Sequence, residues 1–195
     1  MKKFLLLIGL FSINAFAQNV IETKSGTKIN PLENSIHIDA NGKKIYYKLP
    51  DVVKEQKLKF SDLNTANFGD YRFKSFVIDK KSKAYYVLAE DKGKTLATIK
   101  TSKVISRGGF ESILDFYELV VLDANSNLLA SLSFSANNSD KNITERAGVN
   151  AFIEQYFPDC PKLLEKAKLF ESNASDTTNR MIMTFLDIPI FIYCQ

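Results

Sequence analysis

The chain has 195 residues, 45% of them hydrophobic and 25% charged, with a formal net charge of +4. Half of that charge belongs to Lys2 and Lys3, and the rest is too little for nucleic-acid binding, which rests on neutralising several phosphates at once. One histidine, His37, and two cysteines, Cys160 and Cys194, are too few and too scattered for a zinc site of three or four ligands.

Lys2 and Lys3 open the chain, an apolar stretch runs from Phe4 to Phe11, and Ala15-Phe16-Ala17 follows. A positive start, an apolar middle and small residues at an A-x-A-like cut describe a cleavable secretory signal peptide over residues 1–17. The mature chain is then a single domain, residues 18–195, beginning at Gln18. Phe4 to Ala17 is too short to cross a bilayer, which takes roughly 20 residues. Met181 to Tyr193, interrupted by Asp187 and Pro189, is too short as well, so no membrane span is expected. No cysteine stands at the end of the apolar stretch to accept a lipid. The Lys-, Asn- and Ile-rich composition reads as bacterial, and the expected location is periplasmic or secreted.

In an oxidising compartment two cysteines permit one intramolecular pairing, so a disulfide between Cys160 and Cys194 is expected.

Asp39, Asp79, Asp91 and Asp123 are each followed within a few residues by Gly, Ser or Asn and flanked by β-branched or aromatic runs. Asp accepts local backbone hydrogen bonds while Gly and Asn tolerate positive φ, so these are read as hairpin turns. Their spacing has no fixed period, so they do not mark a repeat architecture. The strands between them alternate with period 2. In Tyr71–Ile78, Tyr71, Phe73 and Val77 share a face; in Asn127–Phe134, Leu128, Ala130, Leu132 and Phe134 face one way, with Ser131 and Ser133 opposite. Phe116–Leu122 is apolar on both sides apart from Glu118, as in a central strand. The reading gives a hairpin at about 35–49 and a meander of about five strands over 71–135.

Asn142-Ile143-Thr144-Glu145 has the form of a capping box, followed by Val149, Phe152, Ile153 and Tyr156 at helical spacing. Asp159 and Pro161 open a second helix, with Leu163, Leu164, Ala167 and Phe170 on one side. A polar loop, 171–179, leads to a last strand-like run, Met181–Tyr193, which Pro189 confines to an edge or bends. The expected fold is α+β: an antiparallel meander of about six to eight strands, two C-terminal helices on one face, and a final strand.

No catalytic residue, cofactor site or metal site is assigned. His37 alternates with Ile36 and Ile38 in a strand, and no glycine-flanked serine suggests a nucleophile. Asp115 and Glu118 lie at odd spacing on a strand and point to opposite faces, the wrong geometry for paired acid–base work. Arg107-Gly108-Gly109-Phe110 is read as a loop, since neither a P-loop nor a dinucleotide pattern surrounds it. Lys80, Lys81, Lys83, Lys92, Lys94, Lys100, Lys103 and Arg107 are dense, but successive turns of a meander lie at opposite ends of the sheet, so one basic patch is not expected. Tyr46, Tyr47, Tyr85 and Tyr86 are doublets, so one ring of each pair points away from the core and is a candidate binding-face aromatic. The expected function is an exported, non-enzymatic binding protein for an envelope or extracellular protein or glycan, such as an inhibitor or immunity-type protein. A carrier of an apolar ligand in a curled sheet and an enzyme with an unfamiliar site are the alternatives.

Overall fold

A computed structural model describes residues 19–171 and 180–194. The predicted signal peptide and most of the 171–179 loop lie outside the described residues. Among the described residues twelve strands and four helices follow in chain order: β1 Val20–Thr23, β2 Lys28–Ile29, β3 His37–Asp39, β4 Lys44–Leu49, β5 Val52–Lys59, β6 Leu63–Phe68, β7 Tyr71–Ile78, β8 Lys81–Asp91, β9 Lys94–Arg107, β10 Phe110–Leu122, β11 Leu128–Ser135, α1 Asp140–Ala147, α2 Val149–Tyr156, α3 Pro161–Glu171, α4 Arg180–Asp187 and β12 Ile192–Tyr193. The large sheet runs β11-β10-β9-β8-β7-β6-β1-β2, with β12 on β8, and β3-β4-β5 form a separate small sheet. The α+β reading holds. The meander over 71–135 is β7 to β11, and the expected early hairpin is β3–β4.

Three of the meander's turns are two-residue turns with both φ positive: Asp79-Lys80, Lys92-Gly93 and Gly108-Gly109. Such turns match the right-handed twist of the strands they join. At Asp39 and Asp123 the side chain does the work. Asp39 Oδ1 accepts the Gly42 N–H at 2.7 Å, and Asp123 accepts from the N–H groups of Asn125 and Asn127, both at 2.8 Å.

Alternation divides the large sheet into two faces. On one face Leu88, Leu96, Tyr117, Leu119, Val121 and Phe134 pack under the helices against Val149, Ile153, Leu163 and Leu186. Farther along, Phe73 and Ala66 join Ile45, Tyr47, Phe60 and Leu63 in a core shared with the small sheet. On the opposite face Phe76, Tyr85, Val87, Val120 and Leu122 pack together. Val77 keeps the face of Phe73 yet is 59% exposed.

Two local readings are corrected. Met181–Tyr193 is not a continuous strand: Ile182, Phe185 and Leu186 stand at i, i+3, i+4, all nearly fully buried, and α4 carries them. A short apolar run does not separate strand from helix by composition, and burial of this stripe decides for helix. After α4 the chain passes Pro189, and β12 joins β8 in parallel at Ala89 and Glu90. The first helix also begins earlier than the Asn142 capping box implies, with Ser139 at the N-cap. Asn142 instead accepts the Ser135 N–H at 2.9 Å, tying the helix to the end of β11. Pro161 opens α3 as expected, and Cys160, just before it, is disulfide-bonded to Cys194 with Cα atoms 4.5 Å apart.

Candidate functional site

The four candidate tyrosines do not form a common platform. Tyr47 and Tyr85 are buried, 7% and 1% exposed, in different cores. Tyr86 packs among Phe68, Tyr71 and Phe73, and burial, with Tyr71 adding to it, pushes its hydroxyl up to about 12. Tyr46 is half-buried with its ring 6.4 Å from that of His37 on the neighbouring strand. Asp115 and Glu118 do lie on opposite faces. Glu118 accepts from the Tyr85 hydroxyl at 3.1 Å and pairs with Lys83 at 3.3 Å. Burial first, and then the Glu118 charge, raise the Tyr85 pKa. Asp115 accepts from Ser102 Oγ at 2.6 Å, and Lys100 stands 3.8 Å from it and 2.8 Å from Asp187, which also accepts the Tyr117 hydroxyl at 3.0 Å. That group fastens the end of α4 to β9 and β10. Among the described residues no three His, Cys, Asp or Glu side chains are placed to hold a metal ion.

The basic residues are dispersed. Lys83 pairs with Glu118, Lys92 with Asp159, and Lys94 Nζ donates to the Tyr156 carbonyl at 3.2 Å. Lys103 lies 5.3 Å over the ring of Phe116.

What the structure does assemble is a fork. The β8–β9 ladder reaches only Tyr86↔Thr98, because residues 81–85 of β8 pair with β7 alone. On the other side, β11 accompanies β10 only as far as Phe116↔Ser135, with one further bond from the Ala136 N–H to the Asp115 carbonyl at 2.8 Å. The β9–β10 ladder nevertheless continues to Arg107↔Phe110. A two-stranded arm therefore runs past both neighbours and ends at Gly108-Gly109. In the gap beside β9, Asn41 from the β3–β4 turn takes the place of a strand: its Nδ2 donates to the Ser102 carbonyl at 2.9 Å, and its Oδ1 accepts the Ser102 N–H at 3.2 Å.

The arm is apolar at its end. Val104, Ile113 and Phe110 are 66%, 73% and 83% exposed. Val104 and Ile113 are cross-strand partners on the helix-side face, whereas Phe110 shares the other face with Leu114 and Phe116. That second face descends into a groove of about 430 Å³ lined by Thr101, Lys103, Phe116, Glu118, Ser133 and Lys141. The acid of the groove, Glu118, is neutralised by Lys83, and neither Lys103 nor Lys141 has an ion pair among the described residues. Phe110 and the groove share one face, apolar at the tip and basic within, while Val104 and Ile113 give the arm a second apolar face on the helix side. The sequence reading of 107–110 as a loop is corrected: the turn is Gly108-Gly109 alone, and Arg107 and Phe110 are the end residues of strands that lack outer neighbours, which period-2 alternation does not reveal.

Comparison with protein families, curated proteins and solved structures finds no match to this chain.

Proposed function

We propose that this is an exported, non-enzymatic binding protein that docks a partner protein on the β9–β10 arm and the groove at its base. The observation that carries the reading is the exposure of Val104, Phe110 and Ile113 on a ladder without outer neighbours. Full burial of each such side chain is worth about 1.5–3 kcal/mol, so an arm of this kind gains by being covered. Its unpaired edges offer backbone N–H and C=O groups for strand addition. Lys103 and Lys141, which have no ion pair among the described residues, favour an acidic patch beside the apolar seat on the partner, and a narrow arm suits insertion into a cleft, the mode of an inhibitor or immunity-type protein. The leader pattern of residues 1–17 and the Cys160–Cys194 disulfide support a periplasmic or secreted location.

Capture from the cell-envelope fraction tests this, using wild type beside a Phe110→Ser/Ile113→Ser variant. The wild type should enrich a discrete partner that the variant loses. Equal recovery by both proteins, or none by the wild type, contradicts the reading.

A further inference from the structure

The C-terminal segment builds a second cleft at the other end of the large sheet. The Phe191 N–H donates to the Asp70 carbonyl at 2.9 Å, β12 pairs with β8, and Cys194 is held by Cys160, so three constraints fix Phe191 and Tyr193 against the β6–β7 turn. Between them lies a lobe of about 230 Å³ lined by Asn67, Asp70, Tyr71, Arg72, Phe191 and Tyr193. A second lobe of about 260 Å³, bounded by Asn19, Asn34 and Phe68, shares Gly69 and Tyr71 with the first. A Cβ at Gly69 would meet no atom within 4 Å, so the space beside this shared wall is open. Each lobe is smaller than the roughly 300 Å³ at which pockets for drug-sized molecules begin, and the pair suits two linked small rings.

The lining combines aromatic faces with planar polar groups. Phe68 stacks on Tyr71 with centroids 5.5 Å apart, and Tyr193, 66% exposed, stands edge-on to Phe191 at 4.9 Å. The side chains of Asn67, Asp70 and Asn34 are exposed and make no hydrogen bond among the described residues. The cation in the lining is already engaged: the Arg72 guanidinium lies 3.8 Å over the Phe191 ring and pairs with Glu90 at 2.7 Å. Glu90 is shared with Lys74 at 3.8 Å, and with the Asp70 carboxylate in the lining the two cations are balanced by two acids, so the cleft does not select for an anion. The exposed Tyr193 ring can take the weakly positive C–H face of a sugar ring, while amide and carboxylate groups bond its hydroxyls.

We propose that this cleft, separate from the arm, binds a neutral saccharide of two or more units. The test is a glycan array of neutral, sialylated and sulfated oligosaccharides, followed by calorimetry with the strongest neutral hit. The result expected is binding to neutral glycans that falls at least about tenfold in an Asn67→Ala/Tyr193→Ala variant, both side chains being exposed. Phe110→Ser should leave that affinity unchanged, so failure here is distinguishable from failure of the arm. No binding, binding confined to acidic glycans, or a smaller loss in the double variant overturns the proposal.

Discussion

Asn41 shows how much a single side chain can settle. Its two hydrogen bonds to Ser102 close the gap left where β8 and β9 part, and they link the small sheet to the base of the arm. Asn41→Ala should destabilise the protein by roughly 1–2 kcal/mol in urea unfolding, since both backbone groups of Ser102 lose their partner. Arg146 is a stronger case: it is 1% exposed, and its Nη1 donates to the carbonyls of Ser135 and Asn137 at 3.0 and 2.9 Å. Burial lowers its pKa, but a guanidinium stays charged, and these carbonyls are what stabilise it. Arg146→Met should cost about 2–3 kcal/mol by the same measurement, because the donors vanish while the Ser135 carbonyl stays buried. Asp123 offers a pH test. Hydrogen bonds from Asn127 and Asn125 hold its carboxyl below the usual carboxylate range. A depressed carboxylate contributes stability that is present above its unfolded pKa and lost as pH falls through the folded one. The stability difference between wild type and Asp123→Ala should therefore be complete at neutral pH and shrink below about pH 4.

At the scale of elements, turns were the most legible part of the sequence. Asp79, Asp91 and Asp123 named three of the meander's corners because Asp, Gly and Asn carry the local chemistry of a turn wherever they occur. The Asp79-Lys80 turn, however, places a lysine at φ 62°, a conformation that costs an L-residue roughly 1–2 kcal/mol and glycine almost nothing. Lys80→Gly should raise stability by about 0.5–1 kcal/mol, read as a shift in the urea midpoint with the slope unchanged. Strands β1, β2, β5 and β6 escaped the reading. Val52–Lys59 is largely exposed at a sheet edge and rich in lysine, which protects edges but erases alternation. α4 was taken for strand because its buried stripe occupies a short apolar run. The arm was invisible for a related reason: alternation shows which residues share a face, not whether a neighbouring strand covers it.

At the scale of the molecule, the helical layer and the C-terminal tail are coupled through one covalent link. Cys160, fully buried before α3, and Cys194, after β12, are 34 residues apart in sequence. Closing such a loop stabilises by roughly 3–4 kcal/mol on the chain-entropy model. Replacing both cysteines by alanine should lower thermal stability by about that amount and loosen β12, seen as faster hydrogen exchange at 190–194. The pairing was legible from two cysteines and the leader pattern; the candidate binding surface was not, since it depends on which strands stop short of the arm.

Site-specific photo-crosslinking tests the proposed docking role of the arm most directly. A photoreactive phenylalanine analogue is placed at Phe110, and in a parallel protein at Val53, which is fully exposed on β5 of the small sheet. In the cell-envelope fraction the Phe110 protein should form a discrete covalent adduct that Ile113→Asp abolishes, while the Val53 protein forms none. An adduct at Val53 alone, equal adducts at both positions, or no adduct at Phe110 would contradict the assignment of the arm as the partner-binding surface.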